Sequence, residues 1–453
     1  MNNTYSVPHI SGKIQYDKLT SPIYVSVPGS KSITNRALLI AALANGDTTL
    51  RGAMLSGDSR VFIECLRKLG IKVDEAALSA DSEVAPESPY DKLIGNIDLT
   101  VSGCGASFPS SADLNVGSAG TAARFLTAAL GVSHGTYTLD SSDQMRKRPM
   151  ASLLDSLKEL GCDISYSNVP EHFPFTLNAT GFGKSRISVD ISDSSQFLSA
   201  LLISSVISDH DMTIDVTGSH GMAYVDMTCA MMSDFGVHVL APGSSYIITS
   251  GQNYHAKTYE IEPDASAAAY FYALAPILGI TIGVNGLHNS SIQGDVQFIR
   301  ALCEMGCSGG AAKEGIYLKP PADGVIHGID IDMSSFSDQA ITLACVAVYA
   351  DSPTTIRGIG HIRKQESDRL SGIATELGRM GIRTDMTEET ITIYPGKPQP
   401  ATIQTYNDHR MAMGFTLMGL RSPGIVIDDP GCCAKTFENF YPVLETLINE
   451  ITD

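Results

Sequence analysis

The sequence lacks the paired cysteines from which disulfide frameworks and zinc sites are built. Its nine cysteines are an odd number, and none of them forms a CxxC pair. Cys303 and Cys307 are spaced to share a helical face, but no histidine or further cysteine completes a zinc set. Polar residues follow Met1 where a secretion signal would be apolar. We therefore expect a cytoplasmic protein with reduced thiols and no bound metal.

Positive charge is also scarce in this chain. Lysine and arginine number 31 against 49 aspartate and glutamate residues, which gives a net charge of −18 at pH 7. This excess of acid argues against non-specific binding to nucleic acid. It does not exclude an anionic small molecule as substrate, because a binding site is local whereas the net charge belongs to the whole protein.

Low-complexity tracts and long apolar runs are nearly absent. With 43% hydrophobic and 18% charged residues, the composition excludes collagen-like, coiled-coil and wholly disordered chains. The length of 453 residues predicts two large domains or three smaller ones. One uncharged stretch, 265–284, reaches the length of a membrane span, but Pro276 and Gly279 interrupt it. We predict a helix followed by a buried strand there, and no membrane partner.

A helix-to-strand pattern recurs along the chain. Two apolar residues three apart are followed by glycine and then by a strand-like segment, as in 66–73. The apolar residues bury one face of a helix, and the glycine takes the left-handed conformation that ends it. The glycines are Gly70, Gly161, Gly236, Gly306 and Gly381, at intervals of 91, 75, 70 and 75 residues. With a sixth helix predicted at 443–451, the spacing predicts a duplicated α/β unit used about six times.

Seven polar motifs lie at predicted turns that lead into helices. The amino end of a helix carries partial positive charge and free N–H groups, so each turn can bind an anion. Taken singly, each motif is also typical of an ordinary capped helix with solvated charges. The motifs are Val27–Arg36, Val116–Arg124, Gln144–Met150, Asp193–Leu198, Arg363–Arg369, Tyr406–Met413 and Asp428–Phe437.

Cations recur in these motifs although the protein is acidic overall. The first motif is not a Walker A loop, because Tyr24 stands where the first glycine of that pattern would be. Glu366 and Arg369 are three residues apart, which predicts a shared helical face. A polyanionic ligand best explains seven cations at helix starts: Lys31, Arg36, Arg124, Arg148, Arg369, Arg410 and Lys435. With Asp338, Glu366 and His409 available for proton transfer, the residues predict an α/β enzyme that handles phosphate or carboxylate groups.

In this order, the seven motifs resemble the 5-enolpyruvylshikimate-3-phosphate synthase family of enolpyruvyl transferases. The stretches PGSKSITNRALLIAAL, ESDR, YNDHRMAM and AKTF carry the resemblance, which covers nearly the whole chain. It implies a two-domain inside-out α/β barrel in which each domain holds three βαβαββ repeats. It also implies an N-terminal domain of 29–261, a C-terminal domain of 1–28 with 262–453, and hinges near 27–29 and 261–264.

The resemblance implies an activity as well. The 5-hydroxyl of shikimate 3-phosphate would add to C2 of phosphoenolpyruvate while C3 gains a proton. The tetrahedral intermediate would then lose phosphate, a step of aromatic amino-acid biosynthesis. No metal or organic cofactor would take part, and the enzyme would be a monomer.

Each motif residue receives a role from the same resemblance. Shikimate 3-phosphate would be bound by Lys31, Ser32, Arg36, Ser194, Ser195, Gln196, Tyr224 and Asp338. Phosphoenolpyruvate would be bound by Lys31, Gly120, Arg148, Gln196, Arg369, Arg410 and Lys435. Supporting positions would be Ser118, Arg124 and His409. The proton transfers would fall to Lys31, Asp338 and Glu366, with Asp338 taking the hydroxyl proton and Glu366 serving C3.

Two other functions stay open at this point. Enolpyruvyl transfer to a UDP-sugar would use the same architecture, but it needs a cysteine on a mobile loop that no cysteine here matches. A non-catalytic anion-binding homologue is the other, because Gln365 stands where many members have lysine and the segment 218–224 is shorter than in some. The carboxylates of Asp338 and Glu366 argue against it, since a pure anion binder gains nothing from them.

Overall fold

The computed structural model describes residues 3–19, 22–78, 88–105 and 107–453. The strands are β1 Thr4–Ser6, β2 Ile23–Val25, β3 Asn45–Ala53, β4 Lys72–Ala77, β5 Ile97–Cys104, β6 Ser111–Asn115, β7 His134–Asp140, β8 Asp163–Tyr166, β9 Phe175–Thr180, β10 Arg186–Asp190, β11 Met212–Thr217, β12 Val239–Leu240, β13 Ser245–Ile248, β14 Thr258–Glu260, β15 Ile282–Val284, β16 Ser308–Ala311, β17 Ile316–Lys319, β18 Asp330–Asp332, β19 Thr354–Arg357, β20 Thr384–Met386, β21 Ile391–Ile393, β22 Ala401–Ile403 and β23 Ile425–Asp428.

The α-helices of the described residues are α1 Lys31–Leu43, α2 Gly57–Lys68, α3 Asp91–Ile94, α4 Gly120–Gly131, α5 Asp143–Arg146, α6 Ala151–Glu159, α7 Gln196–Ser205, α8 Met222–Asp234, α9 Ala265–Tyr272, α10 Leu274–Leu278, α11 Gln297–Glu304, α12 Ala340–Ala347, α13 Arg369–Arg379, α14 His409–Arg421 and α15 Phe440–Thr452. The chain divides into two compact units. Unit 1 comprises Met1–Ser30, Ser82–Gly95 and Glu262–Asp453, and unit 2 comprises Lys31–Asp81 and Asn96–Ile261.

Unit 2 contains three four-stranded sheets with one topology. Their strand orders are β14-β3-β5-β4, β6-β7-β9-β8 and β10-β11-β13-β12. In each sheet the first pair is parallel and the two remaining pairs are antiparallel. The chain order β6-α4-β7-α6-β8-β9 is the βαβαββ repeat predicted from the sequence.

Unit 1 repeats this arrangement. Two of its sheets have the orders β16-β17-β15-β2 and β18-β19-β21-β20, again with one parallel pair at one edge. The third sheet has three strands, in which β1 pairs antiparallel with β23, and β23 pairs parallel with β22. The amino-terminal strand thus completes the last copy, and the predicted sixfold repeat is confirmed.

Each repeat contains one helix buried nearly all round and one amphipathic helix. The buried helices are α1, α4 and α7 in unit 2 and α9, α12 and α14 in unit 1. Their sequences, such as ALLIAAL in α1, are apolar on every face, which is typical of a helix enclosed by other elements. The polar motifs of the sequence occur where several of these inner helices begin.

The predicted glycine caps are present in all five copies. Gly70, Gly161, Gly236, Gly306 and Gly381 all have positive φ angles between 75° and 107°. In the first copy the Ile71 N–H donates to the Leu66 carbonyl at 3.0 Å, and the Gly70 N–H donates to that of Arg67. This is the Schellman pattern, which satisfies the last carbonyls of a helix before the strand begins.

The predicted helix and strand in 265–284 are found as α9, α10 and β15. None of the helices in the described parts of the chain has the length and apolarity that crossing a membrane requires. The stretch that resembled a membrane span is therefore part of the core of unit 1.

A short segment of unit 1 had no signal in the sequence pattern. Residues 88–95 lie between β4 and β5 in the sequence, and both of those strands belong to unit 2. The segment itself belongs to unit 1, where it packs on α15. The Tyr90 hydroxyl, in a residue only 1% exposed, donates to Glu450 Oε2 at 2.6 Å. Asn439 Nδ2 donates to the Leu93 carbonyl.

Candidate active site

Arg369 is the centre of a buried ionic network in unit 1. Its residue is 2% exposed, and Nε donates to Asp408 Oδ2 at 2.8 Å. Nη1 donates to Asp338 Oδ1 at 3.0 Å, and Nη2 donates to Glu366 Oε2 at 2.9 Å. Burial lowers the pKa of Arg369, but the negative charges of Asp408, Glu366 and Asp338 raise it by a larger amount. The pKa of Arg369 therefore lies above its ordinary value.

Asp338 and Glu366 each have a second cation. Arg410 Nη2 donates to Asp338 Oδ2 at 2.7 Å, and Lys435 Nζ donates to Glu366 Oε1 at 3.1 Å. The structure therefore brings together five of the six residues that the sequence analysis proposed in this part of the chain: Asp338, Glu366, Arg369, Arg410 and Lys435. Flanking cations favour the ionised form of a carboxylate, which is the form that accepts a proton.

Exposure distinguishes the three carboxylates of this network. The side chain of Asp408 is 0% exposed, whereas those of Asp338 and Glu366 are 22% and 11% exposed. Asp408 also accepts hydrogen bonds from Ser367 Oγ and from the Arg410 N–H, where it caps α14. Asp408 thus holds Arg369 and the helix start, while Asp338 and Glu366 are the two carboxylates that a ligand can reach.

The predicted helical register of Glu366 and Arg369 is wrong, although their ion pair is present. Asp368 caps α13 by accepting from the Ser371 N–H, so the helix begins at Arg369 and Glu366 lies in the turn before it. In that turn Gln365 Oε1 accepts from Arg369, whereas Lys364 is exposed. Gln365 therefore occupies the position facing the network.

His409 lies at the start of α14 and is 2% exposed. Its Nδ1 is 3.8 Å from Asp408 Oδ1. This places His409 beside the buried carboxylate that holds Arg369.

In unit 2, Lys31 is the first residue of α1. Its Nζ lies 3.5 Å from Oδ2 of Asp58, a buried residue in the first turn of α2. Ser32, which is half-buried, follows on the same turn. The lysine is thus held by a carboxylate while its own side chain stays 18% exposed.

Arg36 joins three helices of unit 2 from a fully buried position. Its Nε donates to Thr228 Oγ1 at 2.8 Å, and Nη2 donates to the Tyr224 carbonyl at 3.2 Å. The guanidinium lies 5.6 Å from the centre of the Phe125 ring. Burial lowers the pKa of Arg36 to about 10, because its described partners are neutral groups.

Two guanidinium groups lie over the first residue of α4. A Cβ atom on Gly120 would lie 2.6 Å from Arg148 Nη1 and 2.7 Å from Arg124 Nη1, so only glycine leaves both in place. Of the three cations in 144–150, Arg146 is paired with Asp140 and Lys147 is exposed. Arg148 is therefore the member of that motif that faces the helix start.

The amino end of α7 adjoins this pair. Arg124 Nη1 donates to Gln196 Oε1 at 3.0 Å, which joins α4 to α7. Ser194 is half-buried and its Oγ accepts from the Gln196 N–H, while Ser195 is 4% exposed. Ser118, in the turn before α4, and Tyr224, in the first turn of α8, are both half-buried.

Sequence reasoning missed Asp58 and the counter-ion role of Asp408. Asp58 lies in an ordinary capping sequence, and nothing in the chain marks it as the partner of Lys31. Asp408 had a signal, since it immediately precedes His409 and Arg410 at a helix start, where an aspartate is a common cap. Its pairing with Arg369 could not be read from that signal.

Fold and site together define a class of protein. It is a repeat-built α/β protein whose inner helices begin with groups of cations, hydroxyls and carboxylates suited to small phosphorylated or carboxylated ligands. A family model described as EPSP synthase (3-phosphoshikimate 1-carboxyvinyltransferase) matches residues 18–444. The chain belongs to this family, which confirms the resemblance found in the sequence.

Curated relatives agree with the family assignment. A protein of Nostoc sp. strain PCC 7120 named 3-phosphoshikimate 1-carboxyvinyltransferase is 42% identical over 420 residues, covering 92% of this chain and 94% of the relative. One of the same name from Nostoc punctiforme is 40% identical over 433 residues, covering 94% and 97%.

Solved structures show the same fold. An EPSP synthase from Acinetobacter baumannii matches with a TM-score of 0.74 and 23% identity over 93% of this chain and 94% of that one. The enolpyruvyl transferase NikO from Streptomyces tendae matches with a TM-score of 0.70 and 18% identity over 95% of each chain. The predicted two-domain inside-out α/β fold is confirmed.

Proposed function

We infer that this protein transfers the enolpyruvyl group of phosphoenolpyruvate to the 5-hydroxyl of shikimate 3-phosphate and releases phosphate. Membership of the family and the names of the relatives support this activity. The observation within the structure that carries it is the double pairing of two reachable carboxylates. Asp338 lies between Arg369 and Arg410, and Glu366 lies between Arg369 and Lys435.

This arrangement suits a reaction that needs proton transfer beside bound anions. The hydroxyl oxygen of shikimate 3-phosphate forms a bond to C2 of phosphoenolpyruvate, its proton passes to Asp338, and C3 gains a proton by way of Glu366. In the second step C3 returns a proton and the bond between C2 and the phosphate oxygen breaks. Phosphate leaves, and the enolpyruvyl double bond is restored. Positioned acids and bases of this kind contribute factors of about 10² to 10⁴ in rate.

In unit 2, we assign shikimate 3-phosphate to the starts of α1 and α7. Lys31, with its exposed ammonium group, and Ser32 supply a cation and a hydroxyl, and Arg36 supplies a buried cation that lacks a carboxylate partner among its described contacts. We propose that Ser194, Ser195, Gln196 and Tyr224 also bind shikimate 3-phosphate, and that Asp338 acts on the hydroxyl group of this substrate.

Phosphoenolpyruvate is assigned to the guanidinium and ammonium groups that already hold anionic or polar partners. In unit 1 these are Arg369, Arg410 and Lys435, whose partners are the carboxylates described above. In unit 2 the cations are Arg148 and Lys31. Gly120 and the neutral amide of Gln196 are proposed to bind beside them, with Arg124 and Ser118 in support. Bidentate and charge-assisted bonds make such cations strong ligands for phosphate and carboxylate groups.

Neither alternative function is favoured. The family description and the relatives' names specify 3-phosphoshikimate rather than a UDP-sugar. A non-catalytic anion binder would not need Asp338 and Glu366 in their paired positions. Gln365, which prompted that alternative, accepts a hydrogen bond from Arg369 and so belongs to the network.

The proposal includes the organisation and location of the protein. We assign the folding domains as 29–261 and as 1–28 with 262–453, with hinges near 27–29 and 261–264, and we note that the segment 88–95 packs with the second of these domains. In support, the two hinge segments are hydrogen-bonded to each other. The Ser30 N–H donates to the Glu262 carbonyl at 2.7 Å, and the Asp264 N–H donates to the Pro28 carbonyl at 2.8 Å. A monomer in the cytoplasm is proposed from the family resemblance.

Replacing Arg410 with alanine is expected to raise the KM for phosphoenolpyruvate. Loss of one charge-assisted hydrogen bond weakens binding by about 1.5–3 kcal/mol, which corresponds to roughly 10-fold to 100-fold. Steady-state kinetics with each substrate varied in turn measures the effect. Arg300→Ala, at an exposed residue that pairs only with Glu304 among the described contacts, should leave both constants unchanged. A normal KM for phosphoenolpyruvate in the Arg410 variant removes Arg410 from the site.

Gly120→Ala is expected to displace the guanidinium groups of Arg148 and Arg124 and so to raise the KM for phosphoenolpyruvate by about 10-fold. The new methyl group would lie 2.6 Å from Arg148 Nη1, and a guanidinium at the end of a flexible side chain gives way. The melting temperature should change little. Gly378→Ala is the matched control, because a Cβ there meets nothing within 4 Å. Equal kinetics for the two alanine variants would show that Arg148 does not bind this substrate.

Phosphate release tests the proposed function directly. Purified protein is incubated with both substrates and then with each substrate omitted. Phosphate should appear only when both are present, together with an enolpyruvyl ether of shikimate 3-phosphate detected by mass spectrometry. Phosphate released from phosphoenolpyruvate alone, or no product with both, would contradict the proposal.

A further inference from the structure

A second buried acid of unit 1, Asp295, is joined to the residue that follows Asp338 and has no role in the account so far. Asp295 is 3% exposed and sits in the turn 294–296 that precedes α11. A carboxylate at this depth is unfavourable unless other groups hold it. Its presence therefore calls for a reason beyond packing.

The side chain of Asp295 is joined to the segment that carries Asp338. Gln339, the next residue along the chain, is 0% exposed, and its Nε2 donates to Asp295 Oδ1 at 3.0 Å. The other side-chain atom of that amide, Oε1, accepts from Thr342 Oγ1 in the first turn of α12. Gln339 is thereby fixed at both ends, and so is the backbone beside Asp338.

Charged groups from three elements face Asp295. They are Asp264, which caps α9, Asp338, which precedes α12, and Arg410 from α14. Burial and the negative charges of Asp338 and Asp264 raise the pKa of Asp295 above its ordinary value, although Arg410 and the Gln339 hydrogen bond act in the opposite direction. The same interaction acts in the opposite direction, so an ionised Asp295 disfavours a second negative charge on Asp338.

We propose that Asp295 is a positioning residue for the transfer reaction, which orients Asp338 through Gln339 and, in its ionised form, strengthens Asp338 as a proton acceptor. This inference rests on the proposed function. Asp295 touches no substrate in it, because it acts through Gln339 and Asp338.

Asp295→Asn separates charge from shape. Asparagine keeps the size of the side chain and an oxygen that accepts from Gln339, but it removes the negative charge. Asp338 then loses a repelling neighbour and ionises more readily, so the acid limb of the pH profile of kcat should move to lower pH by on the order of one unit. Because a weaker base removes the hydroxyl proton less readily, kcat at neutral pH should fall by roughly threefold to tenfold.

Glu376→Gln provides a matched control. Glu376 is another 0% exposed acid of unit 1, and its described partners Tyr406, Gln404 and Arg379 lie outside the proposed site. Its variant should keep the wild-type acid limb, and Asp295→Glu, which retains the charge, should keep it as well. Melting temperatures of all variants establish that they are folded.

The outcomes of these measurements distinguish the further inference from the proposed function. The inference is overturned if the acid limb stays in place in a folded Asp295→Asn protein, or if it moves equally in Glu376→Gln. In either case, phosphate release by the wild-type protein would still support the proposed function. If Asp295→Asn does not fold, Gln339→Met carries the test, because loss of the N–H donor makes Asp295 keep its proton to higher pH. The acid limb should then move in the same direction by less, and an unmoved limb counts against the inference.

Discussion

Asp338→Asn is expected to lower kcat by about 10² to 10⁴, because the group that accepts the hydroxyl proton is lost. The amide is the same size as the carboxylate, and one oxygen still accepts from Arg369 or Arg410. Binding of shikimate 3-phosphate should therefore change much less than turnover. Steady-state kinetics combined with calorimetric titration of shikimate 3-phosphate separates the two effects.

Asp330→Asn is the appropriate comparison for this variant. Asp330 belongs to the same unit, eight residues earlier, but its side chain is 55% exposed and pairs with Arg357 on the surface. It should retain wild-type kinetics. Parallel losses of turnover and of shikimate 3-phosphate binding in Asp338→Asn would mean that Asp338 only binds substrate.

Arg369→Met is expected to reduce the free energy of unfolding by about 3–5 kcal/mol, because it leaves buried acids without their shared cation. Asp408 is affected most, since its side chain is 0% exposed and cannot turn to solvent. Urea denaturation followed by circular dichroism measures the change. Activity should be lost as well, since Asp338 and Glu366 both lose a partner.

A surface pair shows what an ordinary arginine contributes. Arg357 Nη2 lies 2.9 Å from Asp330 Oδ1, with both side chains more than half exposed. Arg357→Met should reduce stability by only about 0–1 kcal/mol. Similar losses for the two variants would show that the Arg369 network is not the buried ionic centre described above.

Much of the fold could be predicted because its signals are local. A glycine marks the end of the amphipathic helix in five of the six repeats, and the structure has a Schellman cap at all five positions. The apolar runs that form the buried helices could also be recognised in the sequence. The insertion at 88–95 was not, because its packing on α15 depends on contacts such as Tyr90 with Glu450, which are 360 residues apart.

Most residues of the Arg369 network could be predicted from the sequence, but their pairing could not. A cation at a helix start suggests an anion, yet it does not say which one. Arg410 and Asp338 are 72 residues apart, and Arg369 and Asp408 are 39 apart, so only the assembled unit shows them to be partners. For the same reason Asp58 and Asp295 carried no signal, since an acid near a helix start is usually a cap.

Cleavage of the bond between C2 and the bridging oxygen of phosphoenolpyruvate is the central chemical claim. Addition to C2 followed by elimination removes phosphate together with that oxygen, whereas hydrolysis at phosphorus leaves the oxygen on pyruvate. Phosphoenolpyruvate labelled with ¹⁸O at the bridging position distinguishes the two by mass spectrometry of the products. With shikimate 3-phosphate present, the label should appear in the released phosphate. Label retained in pyruvate or in the organic product would contradict the account.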